Sequence, residues 1–499
     1  MNETIEMPQL DQVHKTNILS RMPTWLRWAT GLLLLIIPAM WLPASGDMPS
    51  HLYSAWLTHQ VENGLQGFMI STQYTYVLTD VLLYWLLPIG PHFAVAVVNV
   101  LSVLIFFAGS AFFIRIYATR LPWPCLGLLA MFAYGVLYWM GFTNYIMGSG
   151  FGFFALGFGH GTKLLSRCMS LIMLAATFFM HPFVFAWTLG SAFILLVVPR
   201  TPARLRLRMY LGSMALSLLP LPFLHRAMFN LWELEQIKSI TGADQIYVFG
   251  DGSFAVLLVV HLLFASILWN NRKQLRQGME SPLFWLYLMN AAFIFAVPHA
   301  LTLPSGGNMA SNGLPLLNVV GFLTERFAFL QCVLLTAWMA TMRWERWQKA
   351  VLTAMLCLHC LMAYLTAERV QFANLKLAEI VTQLPHGAKV IADINFQGLR
   401  VPVARHLIAT GCLGHCYDFA NYEPSMGHFR IHALQSNTVV MWRREDVISV
   451  ESGYYSARPE DLPIYLISPC RTGLCVHSMR PGEPMFIGEI INHNLGLIE

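Results

Sequence analysis

The chain has 499 residues, of which 56% are hydrophobic and only 11% charged, with a formal net charge of +5. Soluble globular domains carry roughly a quarter charged residues, so this composition excludes them and points to an integral membrane protein. The positive balance is no nucleic-acid footprint, because Lys and Arg gather in short loops between apolar stretches and no basic stripe is interleaved with aromatics.

Residues 1–24 are polar and read as a cytoplasmic amino-terminal segment. Apolar stretches suited to crossing roughly 30 Å of hydrocarbon follow at 25–43, 74–88, 92–114, 121–140, 144–161, 168–198, 209–224, 253–269, 283–301, 322–341 and 350–366. The expected fold class is mainly α: a polytopic transmembrane helical bundle of about eleven spans over residues 25–367, with a first outer loop at 44–73. The second stretch is short for a span, and the sixth is long enough to be two half-helices broken at His181-Pro182.

Orientation follows from the basic loops: Lys15, Arg21 and Arg27; Arg200, Arg204, Arg206 and Arg208; Arg272, Lys273 and Arg276; Arg343, Arg346 and Lys349. All four groups fall on one side of the bundle, which the positive-inside rule makes cytoplasmic; the Asp47 loop, residues 225–252 and 302–321, and the carboxyl-terminal part then lie outside. Arg115, Arg120, Lys163 and Arg167 land on the opposite side, so the middle of this map is its weak point. A signal peptide cleaved near Ala44-Ser45-Gly46 is an alternative, disfavoured by the long polar lead before the first apolar stretch.

From about residue 368, Pro, Gly, His and charged residues return, with β-favouring runs at Lys389–Ala392, Thr438–Trp442 and Pro463–Ile467. Residues 368–499 read as a small soluble α/β domain. Cys412 with Cys416 and Cys470 with Cys475 form close pairs, which suggests two disulfides and hence an oxidising compartment such as a periplasm. A zinc site from the same four cysteines is the rival, with looser spacing than the usual C-x-x-C.

The candidate base is Asp47, in Gly46-Asp47-Met48-Pro49-Ser50-His51 directly after the first span. A carboxylate at the mouth of a helical bundle is placed to take a proton from an acceptor hydroxyl. Its other reading is an N-cap for an amphipathic helix beginning at Met48 and Pro49 and stopping at Gly64. His51, one helical turn on, either binds phosphate, steadies Asp47, or is an exposed interfacial residue. Asp80, in Leu78-Thr79-Asp80-Val81-Leu82, is read as a buried acid inside the second span, functional or else bonded to Asn99, Asn144 or a tyrosine. Asn144 lies among glycines that allow close helix approach, so packing is its expected use. His181 sits at a proline break suited to lining a cavity. His299 and the Glu325-Arg326 pair complete the set, with Arg326 holding a phosphate or pairing with Glu325.

An acid directly after the first span, an amphipathic outer loop, many further helices and an external carboxyl-terminal domain together resemble the GT-C superfamily of polyprenyl-phosphate-sugar-dependent glycosyltransferases. Asp47-Met48-Pro49-Ser50-His51, Leu78–Leu83, Asn144-Tyr145-Ile146-Met147-Gly148 and Glu325-Arg326-Phe327 are also similar to stretches in a group of large bacterial polytopic proteins. The resemblance extends to about residue 366. It implies a multi-pass protein of the bacterial inner membrane that moves a sugar, with inversion, from a polyprenyl phosphate to a glycan, lipid or protein hydroxyl on the periplasmic face, with Asp47 as general base. The implied phosphate- and substrate-binding set is His51, Asp80, His181, His299, Glu325 and Arg326. No cofactor is required, and one carboxylate in the loop does not demand a divalent metal. The chain lacks the acidic dipeptide of protein mannosyltransferases and the WWD-type signature of oligosaccharyltransferases, which disfavours both. The competing class is a non-enzymatic transporter or flippase for a lipid-linked saccharide, or an assembly component of an exopolysaccharide pathway. It is weakened by the absence of an internal repeat with matching broken helices.

Overall fold

The computed structural model describes residues 24–43, 45–118, 121–219, 230–231, 234–273, 280–309, 315–394, 396, 398–426, 430–470 and 473–485. The basic residues Lys15, Arg21, Arg120 and Arg276 lie outside the described residues. The chain is mainly helical, with few and mostly short strands.

In chain order, α1 (Thr24–Trp41) leads to α2 (Met48–Glu62), strand β1 (Phe68–Ile70), the short α3 (Val77–Leu86) and the long α4 (Pro91–Ala118). Then come α5 (Trp123–Ala133), α6 (Val136–Trp139), α7 (Thr143–Gly159), α8 (Leu164–Met180), α9 (Pro182–Ala192) and α10 (Ala203–Leu218). After β2 (Asn230–Leu231) and two short 3-10 turns, α11 (Asp251–Asn270) and α12 (Pro282–Ala296) flank a hairpin, β3 (Ala300–Met309) and β4 (Pro315–Val320), on its amino-terminal side. The hairpin occupies what the sequence suggested to be an outer loop. The helix α13 (Leu323–Ala340) follows, buried along nearly its whole length, which is why it is apolar all round. The 36-residue α14 (Arg346–Val381) leaves the bundle and enters the carboxyl-terminal part.

Among the described residues, four segments are long and apolar enough to cross a membrane: Pro91–Ala118, Pro182–Arg200, Asp251–Asn270 and Arg346–Val381. Shorter apolar helices, including Trp123–Trp139, Leu164–Met180 and Pro282–Ala296, pack among them. Three sequence expectations change. The stretch 74–88 yields a helix of only 10 residues, about 15 Å long, half of what a crossing needs. It stays beside α2, where Tyr84 stacks on His59 at 4.0 Å and donates to Glu62 Oε2 at 2.6 Å. The stretch 283–301 ends as a helix at Ala296, before Pro298, and Ala300 already belongs to β3. The boundary expected at residue 367 falls inside α14, whose buried Val370, Ala373, Leu377 and Val381 keep one helical face packed beyond that point. The break at His181-Pro182 is present: His181 has an extended backbone between α8 and α9, and Pro182 opens α9, where its missing N–H would have no helical partner.

The carboxyl-terminal part holds a four-stranded sheet in the order β6 (Tyr417–Asp418), β5 (Lys389–Ala392), β8 (Ile464–Cys470), β9 (Gly473–Ser478), parallel except for the last pair. Its short helices are α15 (Leu407–Gly411), α16 (Tyr422–Ser425) and α17 (Arg444–Glu451). Residues 438–442, expected as a strand, form a bend instead, because the Asn437 side-chain carbonyl accepts the N–H groups of Val439 and Val440. Strand β7 (Ile431–Ala433) pairs antiparallel with β1, tying this part to the loop after α2. Cys412–Cys416 and Cys470–Cys475 are bonded, with S–S distances of 2.02 and 2.04 Å.

The helices have two chemically distinct ends. At one, Asn99 donates to Leu42 O at 3.2 Å, the Asp47 N–H to Met140 O at 2.9 Å, and Tyr145 to Arg326 O at 2.6 Å. At the other, Tyr117 packs on His160 at 5.2 Å, residues 121–124 face 342–349, and Asn271 exchanges two bonds of 3.0 Å with the Arg343 backbone. Arg115, Lys163, Arg167, Arg272, Lys273, Arg343, Arg346 and Lys349 gather at this second end, while Asp47, Asp80, Asp244, Glu325 and Glu423 gather at the first.

Candidate functional site

Asp47 is fixed by its backbone rather than by its side chain. Gly46 (φ +58°) and Gly141 (φ +77°) pass so closely that a Cβ on Gly141 would stand 2.5 Å from Met48 N. The Gly46 N–H donates to Val403 O at 2.9 Å, which anchors the turn to the carboxyl-terminal part as well. Asp47 occupies the N-cap position of α2, but its backbone is helical and its side chain makes no capping bond, so the capping role is overturned and the carboxylate is left for other contacts. Asp47 Oδ1 lies 3.6 Å from His406 Nε2. The side chain retains 28% of its surface while protein encloses it at longer range. That burial raises its carboxyl above the usual aspartate range, opposed in turn by His51, Arg405 and Arg326. His406 is pushed down to about 3, by burial first and then by Arg405 and His51, so it faces Asp47 as a neutral imidazole.

His51 is not an exposed interfacial residue. Its Nδ1 lies 3.1 Å from Asp80 Oδ1 and 3.1 Å from Glu423 Oε1. Burial alone would lower its pKa, but Glu423 and Asp80 outweigh it and hold the imidazolium up to about 10. Burial raises Glu423 to about 7, with His51 pulling the other way. Asp80 therefore pairs with His51 rather than with Asn99 or Asn144, and it sits in the first turn of α3 rather than in a span. Glu423 reaches the cluster because Ser50 donates to Asn421 Oδ1 at 2.9 Å and the Asp418 N–H to Tyr53 Oη at 3.1 Å, docking α16 on α2. A narrow cleft of about 20 Å³ opens beside Asp80, Tyr84, Glu423 and Arg430.

Glu325 and Arg326 part company. Glu325 faces His299 Nδ1 at 3.3 Å and Arg400 Nη2 at 3.8 Å, and Thr324 donates to its Oε2 at 2.9 Å. Arg400, from the carboxyl-terminal part, also reaches Asp244 Oδ2 at 3.5 Å and donates to Asp244 O at 3.0 Å. Burial raises Asp244 to about 6 against the pull of Arg400. Arg326 has no carboxylate within ion-pair distance among the described residues, and its buried Nε has no hydrogen-bond partner. Its guanidinium lies over Phe142, 4.9 Å from the ring centre. The expected alternative of an Arg326–Glu325 ion pair is overturned.

His181 closes the same region, edge-on to Tyr76 at 4.5 Å and Tyr145 at 4.9 Å. Its Nδ1 is buried without a partner. Among the described residues, the non-glycine positions in the left-handed region are Tyr76 (φ 59°) and Phe322 (φ 57°). Both are bulky, for which this backbone is strained, and both line this region, Phe322 against Phe142 and His299. Gly148 is where the α7 backbone passes His181, its Cβ position 3.4 Å from His181 Cβ, in keeping with a packing role for the Asn144–Gly148 stretch.

Among the described residues no group of three or more His, Cys, Asp or Glu is arranged to hold a metal ion. Sequence reasoning missed Glu423, His406, Asp244 and Arg400, whose place in the site depends on docking of the carboxyl-terminal part. The arrangement offers a carboxylate with raised proton affinity, an uncompensated guanidinium, a buried imidazole and aromatic walls. Compared with protein families, curated proteins and solved structures, the chain matches none of them.

Proposed function

We propose that this chain is a membrane glycosyltransferase of GT-C type, transferring a sugar from a polyprenyl phosphate to an acceptor hydroxyl at the Asp47 end of the bundle. The observation that carries the reading is the coexistence of an uncapped Asp47 and an uncompensated Arg326 at the same end. Such a pair suits a reaction in which one group takes a proton and the other meets a departing negative charge. Asp47 takes the proton of the acceptor hydroxyl; that oxygen attacks the anomeric carbon as the bond to the phosphate oxygen breaks, and polyprenyl phosphate leaves toward Arg326 with His181 and the aromatic walls beside it.

The charge distribution supports a bacterial inner-membrane placement with the basic end cytoplasmic and the carboxyl-terminal part periplasmic. If α3 does not cross and residues 164–200 cross twice, turning at His181, Arg115, Lys163 and Arg167 join the other basic loops and the conflict in the sequence-based map disappears. The two disulfides suit an oxidising compartment.

The test is sugar transfer by membranes supplied with a polyprenyl-phosphate donor. Asp47→Asn is expected to insert and melt like the native protein and to lose transfer by about 10²–10⁴-fold, the usual contribution of a general base. Undiminished transfer removes Asp47 from the mechanism.

A further inference from the structure

At the basic end, remote from Asp47, a groove of about 820 Å³ lies between the start of α5 and the α13–α14 connection. Its walls include Trp123, Arg343, Trp344, Arg346, Trp347 and Lys349. Glu345 is the acid among the lining residues, and its carboxylate is committed: it caps the start of α14 and lies 3.8 Å from Arg343 Nε. Arg346 and Lys349 have no carboxylate within ion-pair distance among the described residues. The N-cap position of α5 is Pro122, which supplies no side-chain cap, so that helix end also presents uncompensated positive character to the groove. Trp123 and Trp347 are half exposed. Beyond the groove, Leu356 of α14 packs over Gly127 of α5, and Leu358 and Leu361 are exposed on the opposite side of α14.

We infer that this groove holds the phosphate headgroup of an anionic phospholipid, its acyl chains lying along the outward face of α14. Arg346 and Lys349 meet the phosphate, Arg by its planar fork and Lys as a point charge. The tryptophans seat at the depth where polar headgroup gives way to hydrocarbon. The aromatic walls and the exposed leucines of α14 favour a lipid over free phosphate, which would use only the cations. This inference is independent of the transfer reaction, because no residue in it belongs to the Asp47 site.

The experiment is thermal unfolding of the full-length protein in neutral detergent, titrated with phosphatidylglycerol, phosphatidylcholine or glycerol 3-phosphate. Phosphatidylglycerol is expected to raise the Tm by about 2–4 °C at saturation, as for a ligand that binds only the folded state. Phosphatidylcholine and glycerol 3-phosphate should not match it. Arg346→Gln with Lys349→Gln should abolish the shift, and Arg346→Lys should keep most of it. Arg343→Gln, on a side chain that is 83% exposed and so without risk to folding, should reduce it. An equal shift with phosphatidylcholine or glycerol 3-phosphate, or a full phosphatidylglycerol shift in the double variant or in Arg343→Gln, overturns the inference.

Discussion

Around His51 and around Arg400, one cation is shared between two acids: Asp80 and Glu423 in the first case, Asp244 and Glu325 in the second. Each cluster crosses the seam between the helical bundle and the carboxyl-terminal part. Asp47 and Arg326, at the same end, are not built this way. The acid faces a neutral imidazole and the cation faces aromatic rings. Partly buried charges that are paired across a seam hold surfaces in register. Charges placed there without partners cost stability, and they make sense where a second molecule supplies the missing charge.

Exchanging residues between the two kinds of site is the sharpest way to break this comparison. Asp47→Asn should remove transfer while leaving the Tm nearly unchanged, because no cap and no ion pair is lost. Arg326→Gln comes next: transfer should fall by about 10²–10³-fold, the usual loss when one donor to a developing oxyanion is removed, with partial recovery in Arg326→Lys. A Tm drop in Arg326→Gln as large as that of a seam variant would assign Arg326 to structure.

The seam clusters should respond in the opposite sense. His51→Gln leaves Asp80 and Glu423 facing each other without a cation, which should destabilise the protein by about 3–5 kcal/mol. It should expose the carboxyl-terminal part to limited proteolysis before the helices unfold. If His51→Gln melts like the native protein but loses transfer, His51 belongs with Asp47 and the comparison fails.

What the sequence revealed and what it hid follow the same division. Asp47 stood out as a candidate because an isolated acid in a Gly-Asp-Met-Pro turn after an apolar run is conspicuous without any tertiary knowledge. The cysteine pairs were legible from short spacing. Glu325-Arg326 misled because adjacency in sequence looks like pairing, whereas consecutive residues on a helix point about 100° apart and cannot face each other. The stretch 74–88 misled because Leu83 is buried and Leu78, Leu82 and Leu86 are partly buried against neighbouring helices, and hydropathy does not distinguish protein from lipid. The change of composition near 367 marks where α14 meets polar surroundings rather than where it ends. Glu423 could not be found at all: it reaches His51 through Ser50–Asn421 and Tyr53–Asp418 contacts that join residues more than 360 positions apart.

The last expected effect is a pH dependence confined to the seam. His51 is held protonated to about 10 in the folded state against an ordinary value of 6.5. The folded state therefore keeps a proton that the unfolded chain releases, and the stability this gives is complete below 6.5, falls as pH rises, and is gone above about 10. Glu423, raised by burial to about 7 from 4.5, has the same sign at lower pH: its ionisation between 4.5 and 7 opposes folding. His406 has the opposite sign, since its depressed value of about 3 makes the folded state lose stability as pH falls below 6.5. Between pH 7 and 10 neither His406 nor Glu423 changes its balance much, so the His51 contribution stands alone in this set. The Tm difference between the native protein and His51→Gln should therefore narrow steadily from pH 7 to 10. A gap that stays constant across that range would mean that His51 packs as a neutral ring, and the shared-cation account of the seam would fall with it.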